Sequence, residues 1–128
     1  MKKLLLDTSI IIDFLRRKDK ENALLFRLSD EDLYISIITH TELFAGRSVW
    51  EDEKVKKTLS EVFSGITIIP LSEDISQRAG YIKSQNSRIS LIDSIVAASS
   101  MENNFPLVTF NIKDFEQIEK LKLFIDKQ

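Results

Sequence analysis

The sequence predicts an α/β domain with a mainly parallel sheet. Short apolar runs of strand length alternate with amphipathic stretches of helix length along the whole chain. Apolar runs separated by helices are typical of strands that are buried on both faces of a parallel sheet. The chain has 128 residues, 43% of them hydrophobic, and no Gly-, Pro- or Ser-rich linker divides it. We therefore expect a single domain over residues 1–128.

The first half of the chain contains two predicted strands. The apolar run over residues 3–6 has the length of a strand, and β-branched residues predict a second, buried strand over 33–38. After the first strand, Ile11, Ile12 and Leu15 share one face of a helix. Apolar periodicity predicts helices over residues 8–17, 20–28, 41–47 and 51–63.

The second half continues the alternation. Gly65 ends the preceding helix, and Pro70 closes a strand over 66–69. A short strand is predicted over 107–109 and a last strand over 121–124, so we expect five strands in all. The helices of this half are predicted over residues 72–84, 91–102 and 112–118.

Composition excludes several classes of chemistry. The 18 Lys and Arg residues against 20 Asp and Glu residues give a net charge of -2, so the chain as a whole does not attract nucleic acid or an anionic membrane. The absence of Cys excludes disulfides and thiol nucleophiles, and the single His excludes multi-His zinc sites and His-pair cleavage of RNA. The three isolated glycines exclude a P-loop. Carboxylates, hydroxyls, Lys and Arg remain for catalysis.

No part of the sequence is typical of a membrane segment or a signal peptide. No apolar run approaches the roughly 20 residues that span a bilayer. The apolar stretch near the N-terminus is interrupted by Asp7 and Asp13, and no small-residue cleavage site follows it. We therefore expect a soluble, cytoplasmic protein that does not associate with a membrane.

Four acidic residues occupy equivalent places in the predicted pattern. Each lies at or just past the end of a strand, or opens a helix; they are Asp7, Glu42, Asp93 and Asp114. In a parallel sheet the carboxyl ends of all strands lie on one side, and ligands bind in the crevice there. These acids can therefore converge although they are far apart in the sequence.

Helix capping is the alternative interpretation of the same acids. Thr39, Ser90 and Asn111 each precede one of them by three residues, as in a capping box, and Asp7 itself precedes a helix. Capping alone explains Asp93 less well, because apolar residues surround it and no Lys or Arg lies at helical spacing to pair with it. A buried carboxylate in such a place costs several kcal/mol unless it is paired or binds a metal. Capping and metal binding are compatible, so both interpretations remain open.

Four segments resemble the signatures of the PIN-domain nucleases. They are Asp7-Thr8-Ser9, Thr41-Glu42-Leu43 with Gly46, Asp93-Ser94-Ile95-Val96-Ala97-Ala98, and Thr109-Phe110-Asn111-Ile112-Lys113-Asp114-Phe115. Their order fits the family over essentially the whole chain, and the length most resembles that of VapC toxins. The resemblance implies a three-layer α/β/α domain with a mainly parallel five-stranded sheet. It also implies cleavage of single-stranded RNA at an acidic pocket that binds Mg²⁺ or Mn²⁺, a homodimer, and neutralisation by a cognate antitoxin.

Roles in catalysis follow for the residues of these segments. We assign Asp7, Glu42 and Asp93 as metal ligands, directly or through water, and Asp114 completes the catalytic metal site. The residues expected to orient the ligands or the phosphate are Thr8, Thr109 and Asn111. Hard Mg²⁺ and Mn²⁺ ions take oxygen ligands, so a site of acids suits them and suits zinc poorly. Crowded carboxylates repel one another, so their pKa values should be raised until a cation binds.

Basic residues are also required, because carboxylates repel the phosphates of RNA. The candidates are Arg16, Arg17, Arg47 and Arg88, with Lys18, Lys20 and Lys83. The alternative is that they are ordinary solvated side chains. His40 is a further candidate base beside Glu42, against a purely structural role at the start of a helix.

Other functions remain as alternatives. A phosphotransferase of the haloacid dehalogenase kind also opens with an Asp at the end of a strand, but it needs a second Asp where this chain has Ser9. A phosphoacceptor receiver domain needs an Asp at the end of its third strand, where this chain has Pro70. A PIN-fold module that binds a partner without nuclease activity, and a free-standing RNA-processing nuclease, both stay open.

Overall fold

The computed structural model describes residues 1–126, and residues 127 and 128 of the predicted domain lie outside the described residues. The strands are β1 (Lys3–Leu6), β2 (Asp32–Ser36), β3 (Thr67–Ile69) and β4 (Leu107–Val108). The α-helices are α1 (Thr8–Arg16), α2 (Leu24–Arg27), α3 (Ile37–Phe44), α4 (Arg47–Glu51), α5 (Glu53–Ser64), α6 (Glu73–Gln85), α7 (Leu91–Asn103) and α8 (Ile112–Phe115). Every helix in residues 1–126 is too short or too polar to cross a membrane.

The strands form a parallel sheet in the order β3-β2-β1-β4. The inner strand β1 pairs with β2, where Leu4 faces Leu33, and with β4, where Leu5 faces Leu107. Parallel neighbours need a crossover connection, which helices supply here. The predicted parallel α/β sheet is therefore confirmed.

Helices cover both faces of the sheet. Successive side chains of a strand point to opposite faces. Leu4 and Leu6 of β1 accordingly join one apolar core with side chains of α1, α2 and α5, and Leu5 between them joins a second core with α6 and α7. The three-layer α/β/α arrangement that the family resemblance implies is confirmed.

The predicted fifth strand over 121–124 is wrong. Leu123 forms a single parallel bridge with Leu107, through hydrogen bonds from Leu107 N to Lys122 O and from Phe124 N to Leu107 O. β4 has only two residues before the chain turns at Thr109, so it offers a partner strand almost no ladder. The sheet therefore has four strands and one bridge within the described residues.

Several predicted boundaries also differ, because local caps decide where helices begin. Ser36 Oγ accepts a hydrogen bond from Ile38 N at 3.1 Å, and α3 starts at Ile37, four residues before the predicted start at residue 41. Thr39 therefore lies inside a helix and caps nothing. The predicted helix over 20–28 is broken at Ala23, whose extended backbone separates a 3-10 turn from α2. The predicted helix over 112–118 ends at Phe115.

Candidate active site

The carboxyl ends of the strands carry the predicted site residues. Asp7 follows β1 directly and Thr109 follows β4 directly. Glu42 lies on α3, which begins where β2 ends, and Asp93 lies in the first turn of α7. Because α3 packs against both α1 and α7, residues from four separate segments come together at this edge.

Asp7 is a buried carboxylate held by hydroxyl groups. It is 5% exposed and caps α1, where its Oδ1 accepts hydrogen bonds from Ser9 N at 3.0 Å and from Ser9 Oγ at 2.5 Å. The Thr109 hydroxyl donates to Asp7 Oδ2. Burial raises the pKa of Asp7 above its ordinary value of 3.8, and the hydrogen bonds from Ser9 and Thr109 oppose that rise.

These contacts limit how Asp7 can bind anything else. A carboxylate has about four lone-pair directions. Ser9 occupies two of them at Oδ1, and Thr109 occupies one at Oδ2. Asp7 can therefore offer a further ligand one direction, at Oδ2.

Glu42 is held in the same way by Thr8. The Thr8 hydroxyl donates to Glu42 Oε1 at 2.6 Å, which connects the first residue of α1 to α3. Glu42 is half-buried, and its second oxygen has no hydrogen bond from the protein within residues 1–126. Its remaining lone pairs are available to a ligand.

The pKa of Asp93 is affected by the other three acids. The Ser90 hydroxyl caps α7 by accepting a hydrogen bond from Asp93 N at 3.0 Å. Burial raises the pKa of Asp93 first, and the charges of Asp7, Glu42 and Asp114 raise it further. The four carboxylates therefore share one electrostatic environment.

No basic residue neutralises this acidic cluster, which comprises Asp7, Glu42, Asp93 and Asp114. None of the ion pairs in residues 1–126 involves any of the four. Over the same residues, no three acidic or His side chains are arranged to hold one ion directly.

Asp114 and Asn111 lie at the outer side of the cluster. Both are exposed, and Asp114 is on α8. Asn111 N donates to Thr109 Oγ1 at 2.9 Å, but its side chain makes no capping hydrogen bond to α8. The predicted capping role of Asn111 is therefore wrong, whereas Ser90 and Asp7 do cap their helices.

Ser9 is the member of the site that the sequence did not single out. Besides its bonds to Asp7, Ser9 Oγ accepts a hydrogen bond from Phe110 N at 3.1 Å. It thus connects β1 to the segment after β4, more than a hundred residues away. The sequence does show a hydroxyl two positions after Asp7, but there it was used to exclude a phosphotransferase and was given no role in the site.

The predicted RNA-binding residues fall into two groups. Arg17 pairs with Asp13 at 3.0 Å and with Asp19 at 3.6 Å, and Arg47 pairs with Glu51 at 3.2 Å. Two lysines also make hydrogen bonds within the fold. Lys20 Nζ donates to backbone carbonyls at the end of α1, and Lys83 Nζ donates to backbone carbonyls in the loop before α7. Two arginines are exposed and have no ion pair within the described part of the chain, namely Arg16 and Arg88.

His40 belongs to an aromatic cluster instead of the acidic one. Its ring centroid lies 4.8 Å from that of Phe44 and 4.7 Å from that of Phe63. Trp50 extends the cluster by stacking against Phe44 and donating from Nε1 to the Phe44 carbonyl at 2.7 Å. These contacts indicate a structural role for His40 between α3 and α5.

Comparisons with known proteins agree with this geometry. The PIN domain family model matches residues 4–121. Ribonuclease VapC1 of Methanocaldococcus jannaschii is 32% identical over 96% of this chain and 86% of its own length. Ribonuclease VapC10 of Mycobacterium tuberculosis is 30% identical over 93% of this chain and 90% of its own length.

Solved structures share the fold over nearly the whole chain. VapBC2 of Rickettsia felis, crystallised bound to a DNA fragment from its promoter, superposes with a TM-score of 0.81 at 26% identity, covering 95% of this chain and 97% of that one. With a family match of this extent and curated relatives at this identity, the chain belongs to the PIN domain family and is a relative of the VapC ribonucleases.

Proposed function

We propose that this chain is a metal-dependent endoribonuclease and the toxin of a VapBC-type toxin–antitoxin module. It hydrolyses phosphodiester bonds in RNA at the acidic cluster. The observation that carries the proposal is Asp93, whose pKa is raised by burial and by Asp7, Glu42 and Asp114 while no basic side chain in residues 1–126 pairs with it. Such a concentration of uncompensated negative charge favours a bound cation.

The cation is Mg²⁺ or Mn²⁺. All donors at the cluster are oxygen atoms, which these hard ions prefer. Mg²⁺ keeps several of its waters and is usually held by one or two carboxylates, which agrees with the absence of a closed set of direct ligands in the described residues. Asp7 Oδ2 and Glu42 would hold the ion directly, and Asp93 and Asp114 would complete the site through water.

Each residue then has a separate task in hydrolysis. When bound, the ion supplies an activated water and polarises the scissile phosphate. Thr109 and Ser9 hold the Asp7 carboxylate in one orientation, and Thr8 does the same for Glu42. Asp93, with its raised pKa, is suited to accept a proton from the attacking water. Asn111, whose side chain is exposed next to Thr109, would donate from its amide to a phosphate oxygen.

Basic residues at the edge of the site hold the RNA strand. Arg16 and Arg88 carry this role in preference to Arg17 and Arg47, because their guanidinium groups are exposed and have no ion pair within residues 1–126. Each phosphate contact of this kind adds affinity that falls with salt concentration.

The partners of the chain follow from its relatives. Curated relatives are named ribonucleases, and the similar solved structures are VapBC complexes. This chain accordingly binds a cognate antitoxin and cleaves RNA when the antitoxin is absent. The homodimer and the cytoplasmic location are proposed from the resemblance to the family alone. A small DNA-binding protein encoded immediately upstream would be that antitoxin.

RNA cleavage by the purified chain tests the proposal. Wild-type protein with Mn²⁺ is expected to cut single-stranded RNA, and a chelator is expected to stop the reaction. Asp7→Asn and Asp93→Asn should each lower the rate by two orders of magnitude or more, because each removes a charge from the metal site. Asp74 is an exposed acid in the first turn of α6. Asp74→Asn is therefore the matched control and should retain activity.

Two results would reject the proposal. Cleavage that survives in Asp7→Asn, with metal binding intact, would mean that the acids act as caps. A wild-type chain that binds an antitoxin but cuts no RNA under any divalent metal would support the binding-module alternative.

A further inference from the structure

The segment of residues 109–114, which we call the rim segment, joins β4 to α8 beside the acidic cluster. It exposes an aromatic ring, an amide, an aliphatic side chain and a cation in succession. These residues are Phe110, Asn111, Ile112 and Lys113. The established family signature accounts for Thr109, Asn111 and Asp114, but it assigns no role to the aromatic ring.

Phe110 is a half-exposed aromatic side chain outside both apolar cores. It is 51% exposed, belongs to neither apolar core, and makes no aromatic pair within residues 1–126. Its neighbour Ile112 is also 46% exposed. Exposure alone does not distinguish Phe110, because isolated apolar side chains are common at protein surfaces and Phe26 is equally exposed. What distinguishes Phe110 is its connection to the acidic cluster.

The backbone on both sides of Phe110 is tied to the carboxylate of Asp7. Phe110 N donates to Ser9 Oγ at 3.1 Å, and Ser9 Oγ donates to Asp7 Oδ1 at 2.5 Å. On the other side, Asn111 N donates to Thr109 Oγ1 at 2.9 Å, and Thr109 donates to Asp7 Oδ2. The backbone of Phe110 is therefore fixed relative to the acidic cluster, and its ring extends from a position one residue after the segment's contact with Asp7.

We propose that Phe110 is the platform on which an unpaired nucleobase of the RNA stacks, next to the phosphate that is cleaved. This inference rests on the proposed function and names how the same site recognises its substrate. Proteins bind single-stranded RNA by stacking bases on aromatic side chains, and every base has a face that can stack. On the same segment, Lys113 supplies a cation for a phosphate.

Electrostatics explains why stacking is needed at this place. The chain has a net charge of -2, and four carboxylates lie where the scissile phosphate must approach. Long-range attraction therefore contributes little, whereas stacking on an uncharged ring is not opposed by the acids. The connection to Asp7 favours RNA over a protein partner, because a protein-docking residue has no need to be fixed against a metal ligand.

Binding of RNA by Phe110→Ala tests the inference. The measurement uses the Asp93→Asn background, which prevents cleavage and leaves every hydrogen bond of the rim segment in place. Fluorescein-labelled oligoadenylate and oligouridylate of about 12 nucleotides are titrated with Mn²⁺ present. Phe110→Ala should weaken oligoadenylate binding at least about 5-fold and oligouridylate binding less, because purines stack more strongly. Phe110→Trp should restore the affinity.

Matched controls separate stacking from general disturbance. Phe26→Ala removes a ring of the same 51% exposure from α2. Because α2 belongs to the helical layer on the other face of the sheet from α8, this variant should leave RNA affinity unchanged. The dependence of affinity on salt should keep its slope in Phe110→Ala, since no charge is removed. In the active protein, Phe110→Ala should raise KM and leave Mn²⁺ affinity as in wild type.

Specific outcomes overturn the inference. Equal affinities of the Asp93→Asn protein with and without Phe110→Ala for both oligonucleotides would reject it, while cleavage by the wild-type protein would leave the proposed function standing. Unchanged RNA affinity combined with loss of antitoxin binding would assign Phe110 to the protein partner. A wild-type protein that neither binds nor cuts RNA would instead reject the proposed function itself.

Discussion

At the scale of single residues, two hydroxyls decide how Asp7 presents its charge. Ser9 occupies both lone pairs of Oδ1, and Thr109 occupies one of Oδ2. Hydrogen bonds of this kind fix the orientation of a metal ligand, and their loss typically lowers metal affinity 10- to 100-fold. If Asp7 binds the ion as proposed, Ser9 controls metal affinity without contacting the ion.

Replacing Ser9 by Ala should weaken Mn²⁺ binding about ten-fold at neutral pH. The Ser9 hydroxyl lowers the pKa of Asp7, so its removal raises that pKa further. Because Mn²⁺ binds the ionised carboxylate, half-maximal binding should move to higher pH. Isothermal titration with Mn²⁺ at several pH values measures both effects.

Ser48→Ala is the matched control, since Ser48 occupies the same second position of α4 and is exposed. Ser9→Thr keeps the hydroxyl and should recover most of the affinity. Equal Mn²⁺ affinity in Ser9→Ala and wild type would show that Ser9 only caps the helix.

Asp93 should destabilise the metal-free protein at neutral pH. Its pKa in the folded state lies above the ordinary value of 3.8 because of burial and the neighbouring acids. The folded state therefore binds more protons than the unfolded state above pH 3.8, and the free energy of unfolding falls as pH rises through the folded pKa. Asp93→Asn should raise Tm by a few degrees near pH 7, measured in chelator, and the gain should vanish near pH 4.

Asp74→Asn provides the comparison, because it also removes a first-turn acid and its favourable interaction with the helix dipole. The difference in Tm between the two variants isolates the repulsion within the acidic cluster. A pH-independent difference would contradict the electrostatic origin.

At the scale of elements, the N-terminus of α7 positions Asp93 through a cap. Ser90 accepts from Asp93 N at 3.0 Å, and Ser72 caps α6 in the same way by accepting from Ile75 N at 3.2 Å. The two helices pack against each other and have equal lengths of 13 residues. They differ in that only the α7 cap holds a residue of the acidic cluster.

Ser90→Ala and Ser72→Ala should therefore have similar stabilities and different metal affinities. Loss of an N-cap costs about 1 kcal/mol in either helix, which urea denaturation measures. Mn²⁺ affinity should fall several-fold only in Ser90→Ala, because its first turn loosens around Asp93. Equal loss of Mn²⁺ affinity in both variants would mean that global stability, and not the cap, controls the site.

Elements with strong periodicity were predicted well, and short ones were not. α6 and α7 follow from apolar spacing over more than three turns. The fifth strand at 121–124 failed because its neighbour β4 provides only Leu107 and Val108 for pairing. The start of α3 was misplaced because the cap at Ser36 lies within the β-branched run, where strand propensity and helix entry compete.

At the scale of the whole molecule, the acidic cluster should make folding depend on metal. A ligand at about 100 times its Kd stabilises the folded state by about 2.7 kcal/mol. For a chain of 128 residues this corresponds to a rise in Tm of roughly 10 °C. Thermal denaturation with and without Mn²⁺ measures the rise, which chelator should reverse and Asp7→Asn should abolish. An unchanged Tm in wild type at saturating Mn²⁺ would contradict a metal site.

The sequence by itself determined the α/β architecture and the four acids, because apolar periodicity specifies strands and helices and a parallel sheet brings all strand ends to one edge. Only the tertiary structure decided which hydroxyls hold these acids, since Thr109 and Asp7 are 102 residues apart. It also decided which arginines are available, because Arg17 pairs with Asp13 while Arg16 beside it faces solvent. Such pairings depend on distances of a few ångströms between side chains, which packing sets and sequence spacing does not.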